Sequence, residues 1–121
     1  MIAVGIDLIE LDRIASVINR HGWRFFERCF TLQEIIDSNG KLEAVAVRFA
    51  AKEAASKALG TGIGSVGWRD IEILVLPSGQ PQLELHGTAA EAAADLHLDT
   101  FSLSLTHTDH YAAAVVVAVS E

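Results

Sequence analysis

The chain has 121 residues, half of them hydrophobic, with nine Lys and Arg against sixteen Asp and Glu, a formal net charge of −7. That length makes one domain with room for a real core, residues 1–121 as a single unit. The hydrophobic content excludes disorder, and the acidity excludes a general nucleic-acid binder, which needs a basic surface.

The single cysteine, Cys29, excludes an internal disulfide and fits a reducing compartment. Met1-Ile2-Ala3-Val4 lacks the basic start of a signal peptide. No apolar run reaches the ~20 residues of a membrane helix, so the expected location is the cytoplasm, without membrane insertion.

Ile2 to Leu11 is apolar, with Val4, Ile6 and Leu8 in one phase and Gly5, Asp7 and Ile9 in the other. The β-branched content predicts a strand buried on both faces. Asp7 is then a carboxylate inside an apolar run, costly to bury unless paired, hydrogen-bonded or metal-bound. A salt-bridged structural role and a metal or catalytic role are both open at this point. Asp12 is the expected N-cap of a helix through Ile14, Val17 and Ile18, which Gly22 interrupts. A short helix from about Trp23 to Phe30 follows. Arg20, Arg24 and Arg28 are spaced by four, which sets them on one side if the helical phase survives Gly22. Such a stripe reads either as solvated surface or as a docking patch for an acidic partner.

Thr31-x-x-Glu34 is a capping box opening a helix from Leu32 to Asp37, which Ser38-Asn39-Gly40 stops. Lys41 to Leu59 is the long central helix. At about 100° per residue, Val47, Ala50, Ala51, Ala54, Ala55 and Ala58 fall on one half and Arg48, Lys52, Glu53, Ser56 and Lys57 on the other. On spacing alone, Glu53 and Lys57 form a favourable surface ion pair. Phe49 within the charged half, and three cations around one carboxylate, suit instead a multiply charged phosphate whose metal the carboxylate holds. Gly60-Thr61-Gly62-Ile63-Gly64 ends the helix and supplies backbone able to approach a phosphate closely.

Asp70 to Leu76 and Gln82 to His86 form a hairpin about the turn Pro77-Ser78-Gly79-Gln80-Pro81. Thr88-x-x-Glu91 is a second expected capping box, before an alanine-rich helix to Leu96. Thr100 to Thr106 alternates as a strand polar on one side, Thr106 to His110 is a turn, and Tyr111 to Val119 is a wholly apolar strand, central or in an oligomer interface. The order predicts an α+β fold, a largely antiparallel sheet packed against the long central helix. His107 and His110 lack a third ligand with zinc spacing.

Gly5-Ile6-Asp7-Leu8-Ile9-Glu10, Arg48 through Lys57 with the glycines that follow, and Ser104-Leu105-Thr106-His107-Thr108 together closely resemble holo-acyl-carrier-protein synthase, the small bacterial type of the 4′-phosphopantetheinyl transferase superfamily. The resemblance implies transfer of phosphopantetheine from coenzyme A to a serine of apo-acyl carrier protein, releasing adenosine 3′,5′-bisphosphate, in lipid biosynthesis. It implies Mg²⁺ held by Asp7 and Glu53, with Lys57 on the diphosphate as the third catalytic group. Arg48, Lys52 and His107 are then expected on the nucleotide phosphates, Arg48 and His107 on the 3′-phosphate, with Gly60, Thr61 and Gly62 bordering the cofactor. A metal-bound water relayed through Glu53 or Asp7 is the expected base. Arg13, Arg24 and Arg28 are expected to dock the acidic carrier. A homotrimer with shared sites is also implied. Asp12 departs from the family, placing an acid inside the docking patch. Two rivals remain at this stage: a non-catalytic trimeric module that senses coenzyme A or a nucleotide, and a Mg²⁺-dependent nucleotide hydrolase.

Overall fold

A computed structural model describes residues 1–120. The elements are β1 (Ile2–Glu10), α1 (Leu11–His21), α2 (Trp23–Cys29), α3 (Leu32–Ser38), α4 (Leu42–Ala58), a 3₁₀ turn (Trp68–Asp70), β2 (Ile71–Val75), β3 (Pro81–Leu85), α5 (Gly87–Asp95), β4 (Thr100–His107) and β5 (Tyr111–Val119). The strands form an antiparallel sheet of order β1-β5-β4 and a separate antiparallel hairpin β2-β3. The α+β expectation, antiparallel strands against a long helix, is what the chain forms.

Helix α4 is the centre of the packing. Its alanines Ala50, Ala51, Ala54 and Ala55 are buried against the three-stranded sheet and the hairpin. Short side chains let the helix axis come close to the strands, and the closest point is Gly5. A methyl group on Gly5 would overlap the carbonyl of Ala54 and lie 2.8 Å from the Ala58 nitrogen. Glycine inside a strand here marks close approach of a second backbone. Ile71 and Ile73 of β2 are fully buried beneath the same helix, each stabilising the fold by roughly 1.5–3 kcal/mol. A second apolar cluster, from Leu11 and Ile14 to Phe25, Phe30 and Val45, joins α1 and α2 to the first half of α4.

Three sequence expectations change. β1 is buried on one face only: Ile2, Val4, Ile6 and Leu8 lie on the other, 62–77% exposed. Ile6 sits opposite Val115, and Val115 opposite Ser104, so the open face of the sheet is apolar on β1 and β5 and hydroxyl-bearing on β4. α1 starts at Leu11 with Glu10 at its N-cap position and no side-chain cap, so Asp12 lies inside the first turn. Thr88 does not cap α5, whose N-cap is His86. Its N–H and hydroxyl donate to Asp70 instead, and its hydroxyl accepts from Gly67 N–H at 3.0 Å. The capping box of Thr31 and Glu34 forms as expected, with Asn39 left-handed at the C-terminal end of α3.

Candidate active site

The crossing of β1 and α4 brings Asp7, Glu53 and Lys57 together. Asp7 points to the helix side of the sheet because it shares the phase of Gly5 and Ile9. The Lys57 ammonium donates to Asp7 Oδ1 at 3.2 Å and to the Ile6 carbonyl at 2.9 Å. Glu53, one turn before Lys57, is half-buried. Burial pushes its carboxyl above the ordinary glutamate range, the Asp7 charge adds to that, and Lys57 opposes it. Two carboxylates so placed repel each other, and one ammonium offsets only part of the charge. Their oxygens are hard donors, so the pair fits a divalent cation such as Mg²⁺, which binds through one or two carboxylates with substrate phosphate and water.

The glycine segment folds back onto the end of α4. Thr61 and Gly62 N–H donate to the Ser56 carbonyl at 3.1 and 3.3 Å, and Gly60 N–H to Lys57 at 3.0 Å. Gly60 and Gly62 have φ of 73° and 67°, the left-handed region that glycine enters without strain. Gly60, Thr61 and Gly62 therefore border the turn that carries Lys57.

Arg48 lies two turns upstream and is 7% exposed. Its Nη1 donates to the Ala44 carbonyl at 3.0 Å, and its buried Nε has no acceptor among the described residues. Burial lowers its affinity for the proton, against the charges of Asp37 and Glu34. The side chain lines a depression of about 450 Å³ with Gly79, Gln80, Pro81, Ser104 and Leu105. A buried guanidinium with an unused donor suits an anion. His107 is exposed two residues beyond Leu105, in the same strand phase. The hairpin turn at Gln80 and Pro81 is a part of this depression that the sequence did not mark. Its only signal was turn composition.

Lys52 requires a correction. The expected phosphate ligand is 0% exposed and its three donors are occupied: by Glu34 Oε1 at 2.7 Å, the Trp68 carbonyl at 3.0 Å and the Ile71 carbonyl at 2.5 Å. It faces away from the acids, beneath the Phe30 ring. No donor is left for a nucleotide.

Arg13, Arg24 and Arg28 are all exposed. Arg24, Arg28 and His21 rim a depression of about 370 Å³ floored by Val17, Phe25, Cys29 and Trp68. Gly22 breaks the helix with φ 58°, yet Arg24 and Arg28 still share a side. Trp68 stacks on Phe49 with ring centroids 4.6 Å apart, and Glu53 is one turn beyond Phe49. The arginine rim is thus joined to the acids by an aromatic wall. Burial pushes the Cys29 thiol up to about 11, so it stays protonated at neutral pH.

The comparisons bear on this geometry. A family model described as the 4′-phosphopantetheinyl transferase superfamily matches residues 3–116. A holo-[acyl-carrier-protein] synthase of Koribacter versatilis is 46% identical over 121 residues, with 97% of each chain covered. The crystal structure of Neisseria meningitidis holo-[acyl-carrier-protein] synthase superposes with a TM-score of 0.90 at 34% identity, covering 99% of this chain and 100% of that one. The Helicobacter pylori holo-[acyl-carrier-protein] synthase in complex with coenzyme A gives 0.88 at 34% identity, covering 96% and 99%.

Proposed function

The chain belongs to the 4′-phosphopantetheinyl transferase superfamily, among the holo-acyl-carrier-protein synthases, and from that premise we propose how its own residues carry out the transfer. The enzyme moves the 4′-phosphopantetheine of coenzyme A to a serine of apo-acyl carrier protein. The serine oxygen bonds to the β-phosphorus, the diphosphate P–O bond breaks, and adenosine 3′,5′-bisphosphate leaves.

The observation that carries this reading is the meeting of Asp7, Glu53 and Lys57 at the crossing of β1 and α4. Lys57 is half-exposed and reaches from Asp7 toward solvent. It binds the diphosphate and stabilises the leaving phosphate by charge. Asp7 and Glu53 hold Mg²⁺, which when bound supplies charge neutralisation and orientation at the diphosphate. The serine proton leaves through a water relayed by Glu53 or Asp7. Arg48 and His107 receive the 3′-phosphate, with the Gln80–Pro81 turn as a wall. Arg13, Arg24 and Arg28 dock the acidic carrier, and the aromatic wall of Phe25, Trp68 and Phe49 leads from them toward Glu53.

The assembly is a homotrimer with shared sites. The acids sit at β1, one edge of the three-stranded sheet, and the Arg48 depression opens at β4, the other edge. In this proposal coenzyme A lies between copies, its diphosphate at the acids of one and its 3′-phosphate at the Arg48 depression of the next. The open apolar face of β1 and β5 supplies the contact that joins copies. With a single cysteine and so no internal disulfide, the enzyme fits the reducing cytoplasm, in lipid synthesis.

The test mixes protein, Mg²⁺, coenzyme A and apo-acyl carrier protein, and weighs the carrier by mass spectrometry. A gain of one phosphopantetheine is expected. Tight coenzyme A binding with an unmodified carrier would mean a sensor instead. Phosphate release without carrier would mean a hydrolase.

A further inference from the structure

We infer that Glu34 and Lys52 form a buried clamp that positions the acid-bearing face of α4, so that Lys52 acts on the transfer through Glu53 and never touches substrate. The inference rests on the transferase reading above. Both side chains are 0% exposed. Glu34 accepts from the Lys52 ammonium and Thr31 N–H at Oε1, and from Ile73 N–H at Oε2 at 2.9 Å. Lys52 adds bonds to the carbonyls of Trp68 and Ile71. One ion pair therefore ties the start of α3, the 3₁₀ turn and β2 to the middle of α4. Beyond it, the Thr31 hydroxyl donates to Glu72, which pairs with His86 at 3.0 Å.

Stability alone does not explain this arrangement. Burying two charges costs several kcal/mol per ion, and a well-packed apolar pair of the same volume is often as stable or more so. Direction is what an apolar pair lacks. An ammonium with three fixed acceptors sets both the height and the rotation of its helix. Glu53 is the next residue along that helix. A carboxylate sits about 5–6 Å from the helix axis, so a rotation of about 20° carries it roughly 2 Å. Misplacement by about 1 Å can cost a hundredfold in rate. Trp68 is held from two sides, its carbonyl by Lys52 and its ring by Phe49 one turn before Glu53. The clamp thus fixes the acids and the aromatic wall beside them as one body.

The test uses the full chain with the double substitution Glu34→Gln/Lys52→Met, which leaves no unpaired buried charge, and the single substitution Glu34→Asp, which keeps the pair but shortens it by one methylene. Three quantities are measured: kcat, KM for carrier, and Mn²⁺ affinity by electron paramagnetic resonance without substrate. The double variant is expected to lose at least tenfold in kcat and threefold in Mn²⁺ affinity, with KM for carrier within twofold of wild type. If the double variant does not fold, Glu34→Asp decides, with a threefold loss of kcat and a weaker Mn²⁺ site expected. A folded variant with wild-type kcat and wild-type Mn²⁺ affinity overturns the clamp while leaving the transferase intact. A wild-type chain that never modifies carrier overturns the transferase reading instead, and the Mn²⁺ comparison then judges the clamp alone.

Discussion

Glu53 shows how function and stability oppose each other at a single residue. Burial and Asp7 raise its folded pKa above the ordinary 4.5. For an acid raised in this way, the favourable contribution belongs to the protonated form. It is present below the unfolded value and is lost as pH rises through the folded value. At neutral pH the ionised group therefore weighs on the metal-free protein. Glu53→Gln is expected to raise the metal-free Tm by about 1–4 °C while removing transfer. Mg²⁺ should then raise the Tm of wild type and leave the variant unmoved. An unchanged or lower Tm for the variant, in differential scanning calorimetry at pH 7, would count against this electrostatic account. Glu72 behaves in the opposite sense: burial works to raise its pKa, but hydrogen bonds from Thr31 and His86 outweigh it and the net shift is downward. Its contribution is present above the unfolded value and is lost as pH falls through the folded one. At this scale Asp7 was legible in sequence because an acid interrupts an apolar run. Lys52 and Lys57 were not separable, since both lie in the charged half of one helix. What divides them is what lies outside the helix: Glu34 and two carbonyls enclose Lys52, whereas Lys57 meets Asp7 and the Ile6 carbonyl of β1 with half its side chain open to solvent. Those partners are 16 or more residues away in the chain, and helical phase does not report them.

Among elements, the contact of β1 with α4 sets the site, and Gly5 sets that contact. Gly5→Ala places a methyl group against helix backbone, which cannot swing aside as a flexible side chain can. The helix must lift from the strand, separating Glu53 and Lys57 from Asp7. A loss of about 2–4 kcal/mol in urea unfolding is expected, with kcat falling further than the remaining folded fraction explains. A folded variant of wild-type stability would show that the helix sits farther from β1 than described. The carrier docking proposed for helix α1 has a separate test. Arg13→Ala is expected to raise KM for carrier about tenfold and leave KM for coenzyme A unchanged, and added salt should weaken wild-type carrier binding. Equal effects on both substrates would remove α1 from docking. Element types were largely readable from local signals: alternation in β4, the continuous apolar run of β5 and the alanine phase of α4. Caps were less so. Thr31 caps α3 as its spacing predicts, whereas Thr88 bonds to Asp70, a residue 18 positions earlier whose position depends on the 3₁₀ turn.

For the whole molecule, the open sheet face decides what the active unit is. Ile2, Val4, Ile6 and Leu8 line β1 in register with Val119, Val117, Val115 and Ala113 of β5. Alternation alone could not tell a strand buried by its own chain from one buried by another copy, since both read as apolar in both phases. A monomer of 13.0 kDa that left this face in water would carry an unusually continuous apolar surface. Ile6 is central to that face and shares β1 with Asp7, but its side chain points away from the acids. Ile6→Glu puts a charge into the contact without touching the chain's own core. Light scattering after gel filtration is expected to give about three times 13.0 kDa for wild type and a single-chain mass for the variant. Circular dichroism should show an intact fold in both. If sites are shared as proposed, transfer should fall at least a hundredfold in the variant, because each site would lose the half that a neighbouring copy supplies. Mn²⁺ binding at Asp7 and Glu53 should survive, since both belong to one chain. A monomeric variant with full transfer would place every group that coenzyme A needs within a single subunit. A trimeric variant would move the contact to another face.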